Sequence, residues 1–252
     1  MLTRDSGQIA GNPDLGQTSR PHDERLKERH VLGTGSGAGD ELAETRATRS
    51  ETGEVSDQGP MTDEQLRAVT IGEPTRLSGP VELVDYDPAW PQLFAREAAR
   101  VRLALGNDVL LLEHVGSTSV PELAAKPWID MVLVVTDSAD EPAYVPALEA
   151  AGYELRIRDP DWYEHRMFRR LDPGVHLHVF SPGCVEVERM LRFRDRLRSN
   201  EPDRRLYERA KRELAQREWV YVQNYADAKA TVVQEIITRA QRSDGSDPDG
   251  DG

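Results

Sequence analysis

The chain has 252 residues, 38% of them hydrophobic, and a formal net charge of −13. This length suits one sizeable domain with tails. Residues 1–60 carry 7 Lys or Arg against 11 Asp or Glu, and residues 243–252 add four Asp and no base, so the body between them is only mildly acidic. A negative chain repels a nucleic-acid backbone, which makes nucleic acid an unexpected partner.

The cellular compartment is predicted from the cysteine count and from the lack of a membrane-spanning or secretory segment. Its single cysteine, Cys184, cannot form an intrachain disulfide, which is typical of a reducing environment. No stretch approaches the ~20 apolar residues that cross a bilayer, and the N-terminus has no secretory signal pattern. We therefore expect a cytoplasmic protein with no membrane partner.

The two ends are predicted to be disordered acidic tails, over residues 1–60 and 243–252, because they bury too little apolar surface to offset their ordering entropy. Within the first tail, Gly33-x-Gly35-x-x-Ala38 matches a dinucleotide fingerprint in form. It lacks the preceding strand and following helix that the motif requires. Met61 is a candidate for the natural start of translation.

Residues 61–79 are predicted to be a linker with a short helix, capped by Thr62 or Asp63. A folded domain is predicted over residues 80–242. We expect it to begin with a strand over residues 80–86.

The first long helix of that domain is marked at both ends. Asp87-Pro88 is a start signal, because aspartate caps a helix and proline suits its first turn. An apolar stripe at helical spacing continues to about Leu105, and Gly106 ends it.

The remaining elements alternate and then become helical. This order predicts an α+β domain with a mixed sheet, helices packed on one face or end, and a helical C-terminal part. The predicted strands cover 109–112, 131–135 and 153–157, with a hairpin of 164–171 and 175–180 around Asp172-Pro173-Gly174. The predicted helices cover 141–151, 186–198, 203–218 and 223–241.

One stretch between two of these strands carries the candidate chemistry. Small residues there let a backbone approach a ligand and offer donors suited to a phosphate, although such a run is often an ordinary turn. Lys126 adds a cation, and Asp130 places a carboxylate on the following strand. The small residues are Gly116, Ser117, Thr118 and Ser119.

This stretch resembles the signature of the GrpB-like family, a branch of the nucleotidyltransferase superfamily. The similarity covers about residues 80–241 and implies a nucleotidyltransferase-like fold that binds a nucleotide triphosphate and a divalent metal, most simply Mg²⁺. Two residues depart from the pattern: Glu122 stands where the family has a glycine, and Trp128 replaces a small aliphatic residue. The resemblance rests on Gly116-Ser117-Thr118-Ser119-Val120-Pro121, Leu123-Ala124-Ala125-Lys126-Pro127, Ile129-Asp130, Leu177-His178-Val179 and Phe193-Arg194-Asp195-x-Leu197-Arg198.

Superfamily members that transfer a nucleotidyl group hold two metals with an Asp-x-Asp pair and a third acid, because paired cations need dense negative charge. Only Asp130 matches here, with Trp128 two residues before it and Val132 two residues after it. His176 and His178 project from one face of a strand and are the further candidate metal ligands. They can equally be solvent-facing or hydrogen-bonded histidines. His114 and His165 are weaker candidates.

The candidate phosphate contacts lie downstream. Arg194, Lys211 and Lys229 supply charge, and each lysine follows a tyrosine by four residues, which places ring and ammonium on one helical face. Such pairs are also common packing contacts, and the arginines of the 192–198 segment can form a solvated face.

The functional expectation combines these parts. A nucleotide triphosphate would lie at Gly116 and Ser117, with Lys126 on phosphate and Asp130 on the metal, and a nucleotidyl group would pass to a small acceptor. The alternative is a non-catalytic nucleotide sensor or accessory domain, linked to coenzyme A metabolism because the family also occurs attached to dephospho-CoA kinases. A phosphohydrolase using His176 and His178 is a third option. The sequence identifies no protein partner.

Overall fold

The computed structural model describes residues 60–244. The predicted tails over residues 1–60 and 243–252 and the motif at 33–38 lie almost entirely outside this range. Within residues 60–244, no helix combines the length and the apolarity needed to cross a membrane.

A five-stranded sheet forms the centre of the domain. Its strands are β1 (Leu111–Val115), β2 (Ile129–Val134), β3 (Glu154–Asp159), β4 (His165–Arg170) and β5 (Val175–Phe180). The spatial order is β1-β2-β5-β4-β3, in which β2 and β5 are parallel and the other neighbours antiparallel. The predicted α+β class with a mixed sheet is confirmed, and so is the hairpin of β4 and β5.

Helices cover the sheet and extend the chain beyond it. They are α1 (Asp63–Val69), α2 (Trp90–Leu105), α3 (Glu141–Ala150), α4 (Val185–Ser199), α5 (Glu201–Ala215), α6 (Val222–Asp227) and α7 (Ala230–Asp244). Helices α2 and α3 pack on one sheet face, where alternate strand residues such as Met131, Leu133 and Leu177 are fully buried. Burial of every second residue is what fixes the strand register.

The opposite sheet face is partly polar. Asp130 and His176 project to it, followed by Val132 and His178, because side chains alternate along a strand. Further along, Val132 joins a smaller apolar cluster with α4. Helices α4, α5 and α7 then pack around Leu123, which lies between β1 and β2. A polar end of the sheet is thus enclosed by the C-terminal helices.

The C-terminal helices differ from the prediction at one position. The single helix predicted over residues 223–241 is two helices, α6 and α7, separated at Ala228 and Lys229. The amide of Lys229 donates to the carbonyl of Ala226 at 3.2 Å, three residues back, which tightens the last turn of α6. Lys229 thus lies between the two helices, within electrostatic range of Asp130 on β2.

The predicted strand over residues 80–86 is wrong. Only Val84 pairs, exchanging two backbone hydrogen bonds of 2.9 Å with Ala125, which lies in the connection between β1 and β2. A ladder cannot extend from one paired residue in a loop. Helix α2 begins at Trp90, and the carboxylate of Asp87 accepts from the amide of Ala89 at 2.8 Å.

The short helix predicted near residue 62 is present as α1. Thr62 and Gln65 form a reciprocal capping box, with bonds of 3.2 and 2.9 Å. After α1, the amide of Ile71 donates to the carbonyl of Arg156 at 2.8 Å, next to the bridge that pairs residue 70 with β3. This segment therefore borders the sheet directly.

Glu122 has a left-handed backbone conformation, which favours the glycine that the resemblance implies at this position. Its φ is +65°, a left-handed conformation that costs about 1–2 kcal/mol for a residue with a Cβ. Its carboxylate accepts from Arg204 at 2.8 Å, yet the side chain is 77% exposed, so the pair is worth about 0–1 kcal/mol. We expect Glu122→Gly to raise the free energy of unfolding by about 0.5–1 kcal/mol in urea denaturation.

Glu122→Ala is the matched control, because it removes the Arg204 contact and retains the strained backbone. It should be no more stable than the parent chain. If the glycine variant were as unstable as the alanine variant, the ion pair and not the backbone would dominate at this position.

Candidate functional site

The candidate site lies where the parallel strands β2 and β5 begin. Asp130 and His176 are register partners and project to the same face. Because an ionised carboxylate only accepts, the His176 Nδ1–H donates to Asp130 Oδ1, at 3.2 Å. Their side chains are 31% and 25% exposed, so a ligand can reach both.

A small-residue loop covers the Asp130 carboxylate. We call residues 116–119 the Gly116 loop; its first residue is exposed and has φ +69°. A Cβ added to Gly116 would stand 2.3 Å from Asp130 Oδ2. Only glycine therefore fits between the backbone and this carboxylate. The predicted meeting of the loop with Asp130 is present in the structure.

Two of the predicted phosphate-binding hydroxyls are engaged in holding the loop. The Thr118 hydroxyl donates to the carbonyl of Trp128 at 3.0 Å, and that of Ser119 donates to the carbonyl of Gly116 at 2.6 Å. Both residues are buried. Ser117 is half-buried. Gly116 and Ser117 are thus the loop residues available to a ligand.

Lysine side chains gather around Asp130. The chain has only four lysines among its 32 basic residues, and the three within residues 60–244 all lie within electrostatic range of Asp130. Lys126 and Lys229 are half-buried, and Lys211 is 2% exposed. Glu208 also interacts with Lys211, and Asp227 with Lys229, so Asp130 shares the neutralisation of these ammonium groups with two further carboxylates.

Two of these lysines are held against aromatic rings. The ammonium of Lys211 lies 4.9 Å from the ring centre of Tyr207, and that of Lys229 lies 4.8 Å from that of Tyr225. Lys211 also donates to the carbonyl of Ala124. The contact between ring and ammonium that the four-residue spacing predicts is therefore present in both pairs.

The remaining predicted cation lies elsewhere. Arg194 donates to Glu113 at 2.8 Å and to the carbonyl of His114 at 3.0 Å, and it also pairs with Asp195. Its side chain is 10% exposed. Arg194 thus fastens α4 to β1, and Arg198 fastens it to the Gly116 loop through the carbonyl of Ser119, at 3.0 Å.

Among the other histidines of residues 60–244, His114 and His165 are buried and His178 is half-buried, and all three are bonded to protein groups. His178 Nδ1 and His165 Nε2 are 3.0 Å apart, so one donates to the other. Burial lowers the pKa of His178 to about 4, and it lowers that of His165 as well. His114 bonds to Thr118 at 3.1 Å, and burial lowers its pKa to about 4. These imidazoles are uncharged at neutral pH.

Comparison with known proteins assigns the chain to a family. The family model described as GrpB protein matches residues 80–239, more than half of the chain. The chain belongs to the GrpB family. It is 60% identical over 185 residues to a UPF0157 protein of Halalkalibacterium halodurans, covering 73% of this chain and 95% of that one. It is 46% identical over 170 residues to a UPF0157 protein of Streptomyces coelicolor, covering 68% and 88%.

A solved structure and a longer protein are also similar. The crystal structure of the conserved protein GrpB from Enterococcus faecalis matches with a TM-score of 0.57 and 30% identity, covering 64% of this chain and 98% of that one. A dephospho-CoA kinase of Mycolicibacterium paratuberculosis is 29% identical over 187 residues. That match covers 64% of this chain and 46% of the kinase, so this GrpB chain spans about half its length.

The donor set of this GrpB chain does not fit the predicted metal on Asp130, His176 and His178. Within residues 60–244, no three His, Cys, Asp or Glu side chains stand close enough together to hold a metal ion. Asp130 is bonded to His176, whereas His178 is bonded to His165. A divalent cation needs several oxygen or nitrogen donors, and here the single carboxylate is surrounded by ammonium groups that would repel it.

Sequence reasoning missed one aromatic contributor. Trp128 stacks on His176 with ring centres 4.5 Å apart, whereas the sequence indicates only that Trp128 departs from the family pattern. The scarcity of lysine beside abundant arginine was the available signal for the cation cluster, because lysine, unlike arginine, shifts its pKa readily when buried.

Lys211 predicts a specific pH dependence of stability. Burial, together with the neighbouring Lys229, lowers its pKa from 10.5 to about 7. Between these values the unfolded chain binds more protons than the folded chain, so stability rises with pH, by about 1.4 kcal/mol per unit. In urea denaturation at pH 7, 8 and 9, the free energy of unfolding should rise less with pH in Lys211→Met than in the parent chain. Arg209→Met, at an exposed position of α5, should retain the parent slope, and equal slopes in all three chains would contradict the prediction.

Proposed function

We propose that this GrpB chain binds a nucleotide through its phosphate chain at the Asp130 end of the sheet. The proposal is carried by one observation: the three lysines of residues 60–244 all lie within electrostatic range of Asp130, a half-buried carboxylate beneath an exposed glycine loop. Their ammonium groups suit a polyanion, and the half-buried position strengthens each charge interaction relative to bulk water.

Each part of the site has a role in this proposal. The Gly116 loop lets the phosphates approach the backbone, and Ser117 offers a hydroxyl. Lys126 and Lys229 are half-buried and can reach a ligand, whereas Lys211 is almost fully buried and supports the field from behind. Trp128, stacked on His176, offers an aromatic surface at the same end of the sheet.

Calorimetric titration with ATP, GTP, CTP and UTP tests the binding. Lys126→Gln and Lys229→Gln should each weaken binding about tenfold, because a charged hydrogen bond contributes about 1.5–3 kcal/mol. Arg209→Gln removes an exposed charge from α5 and should leave affinity unchanged. Equal affinities for the lysine variants and the parent would refute the assignment of the site.

A catalytic role is favoured by the Asp130–His176 pair. The carboxylate fixes the imidazole with its proton on Nδ1, which leaves Nε2 able to accept a proton from a hydroxyl group of an acceptor. The acceptor oxygen would then bond to the α-phosphorus of the nucleoside triphosphate, the bond between the α- and β-phosphates would break, and pyrophosphate would leave. Incubation with α-labelled nucleotides and a panel of small alcohols should give labelled products, and His176→Gln should reduce their rate about 100-fold while retaining nucleotide binding.

A non-catalytic accessory role is the second candidate. It is favoured by the similarity of half of a dephospho-CoA kinase to this chain and by the lone carboxylate of the site. Dephospho-CoA and coenzyme A also carry phosphate groups, so they belong in the same titrations. Saturable binding of these compounds, with no label transferred to any acceptor, would favour this role.

A further inference from the structure

The lysines around Asp130 occupy a place where a metal-dependent site would carry acids. Trp128 and Val132 flank Asp130 at the positions of an Asp-x-Asp pair, and their side chains carry no metal-binding atom. His176 donates to Asp130, and the three lysines lie within electrostatic range of it. The groups around Asp130 are therefore hydrogen-bond donors and cations, which suit a phosphate, and not the oxygen ligands that a divalent metal needs.

Two of the three lysines are held by protein groups, independently of any ligand. Lys211 is held by the carbonyl of Ala124 and the ring of Tyr207, and Lys229 lies over the ring of Tyr225. The hydroxyl of Tyr225 is buried and, within residues 60–244, has no hydrogen-bond partner. Holding like charges close together costs free energy, and a polyanion between them would recover it.

We infer that this site binds the triphosphate group of its ligand without a divalent metal, the lysine ammonium groups supplying the charge neutralisation that a metal would otherwise provide. The inference rests on the proposed nucleotide site and specifies its chemistry. Under it, Asp130 repels the phosphates and serves to orient His176 and to hold the lysines in place. Mg²⁺ would compete with the protein for the phosphates.

The sign of the Asp130→Asn effect separates this arrangement from a metal site. Asparagine has the same shape and fits beneath Gly116, but it removes a negative charge from the phosphate environment. Coulomb attraction between the remaining cations and the phosphates then dominates, and we expect binding to tighten about tenfold. At a metal site, the same substitution removes a ligand and weakens binding.

The experiment is calorimetric titration of the purified full chain with ATP and with inorganic tripolyphosphate, each in excess EDTA and in excess MgCl₂. We expect both compounds to bind in EDTA at least as tightly as with Mg²⁺, and Asp130→Asn to bind more tightly than the parent. Asp108→Asn, an exposed acid at the far end of β1 from Gly116, is the matched control and should not change affinity.

The outcomes distinguish the two proposals. Binding that requires Mg²⁺ and weakens in Asp130→Asn overturns the metal-free inference and leaves the nucleotide site in place. Absence of binding under both conditions, with a folded protein by circular dichroism, overturns the nucleotide site and the inference together. Binding in EDTA that Asp130→Asn weakens shows that Asp130 contacts the ligand directly, and that result also overturns the inferred arrangement.

Discussion

Replacing Gly116 with alanine should lower the free energy of unfolding by about 2–4 kcal/mol and abolish measurable nucleotide binding. The left-handed φ of +69° alone costs about 1–2 kcal/mol for a residue with a Cβ. The new methyl group would also stand 2.3 Å from Asp130 Oδ2, which forces the carboxylate to move and breaks its hydrogen bond with His176.

Two other glycines provide controls that separate the cost of the left-handed backbone from the cost of the contact between the new methyl group and Asp130. Gly106 has φ +57° with no atom within 4 Å of an added Cβ, so Gly106→Ala should show the strain cost alone. Gly79 has neither a left-handed φ nor a close neighbour, so Gly79→Ala should be nearly neutral. In urea denaturation, the loss of unfolding free energy should be smallest for Gly79→Ala, larger for Gly106→Ala and largest for Gly116→Ala. Equal losses at 106 and 116 would show that Asp130 does not occupy the space beneath the loop.

Replacing Glu97 with glutamine should cost about 3 kcal/mol of stability, because it breaks a buried ionic cluster while preserving shape. Glu97 is fully buried in α2. Its Oε2 accepts from the hydroxyl of Tyr153 at 3.0 Å and lies 3.3 Å from Arg100 and 3.5 Å from Arg170. Without the negative charge, these two partly buried guanidinium groups lose their counter-ion.

Arg96→Ala is the control for this cluster. Arg96 lies 3.8 Å from Glu97, but its side chain is 59% exposed, so its removal should change stability by less than about 1 kcal/mol. Thermal and urea denaturation of both variants measure the difference. A loss below about 1 kcal/mol in Glu97→Gln would mean that the surrounding charges are neutralised by solvent and not by this carboxylate.

Elements of the fold were predictable where residues close together in the sequence determine them. The turn at Asp172-Pro173-Gly174 between the segments 164–171 and 175–180 predicted the hairpin of β4 and β5, which is present. The break at Lys229 was not predictable, because residues 223–241 keep an amphipathic pattern across it. The strand over residues 80–86 failed for a related reason, since a strand requires a partner and the sequence does not reveal one.

The candidate site was predictable in part. Asp130 and Gly116 could be placed together because they belong to one strand-turn-strand segment. The bonding of the histidines was not predictable, because the alternation that puts His176 and His178 on one face does not show that His178 bonds to His165. Glu97 gave no signal at all, since a glutamate within a helix is ordinarily exposed.

The sequence by itself determined the α+β class, the family, the loop that must contain glycine and the kinds of residue available for phosphate, because these depend on neighbours in the chain. Only the tertiary structure decided that Lys211 donates to the backbone carbonyl of Ala124, which lies 87 residues earlier in the chain. It also decided that Lys229 lies within electrostatic range of the Asp130 carboxylate. Their positions depend on how α5, α6 and α7 pack against the polar end of the sheet. Packing of that kind is set by the summed burial of many side chains, which no local pattern contains.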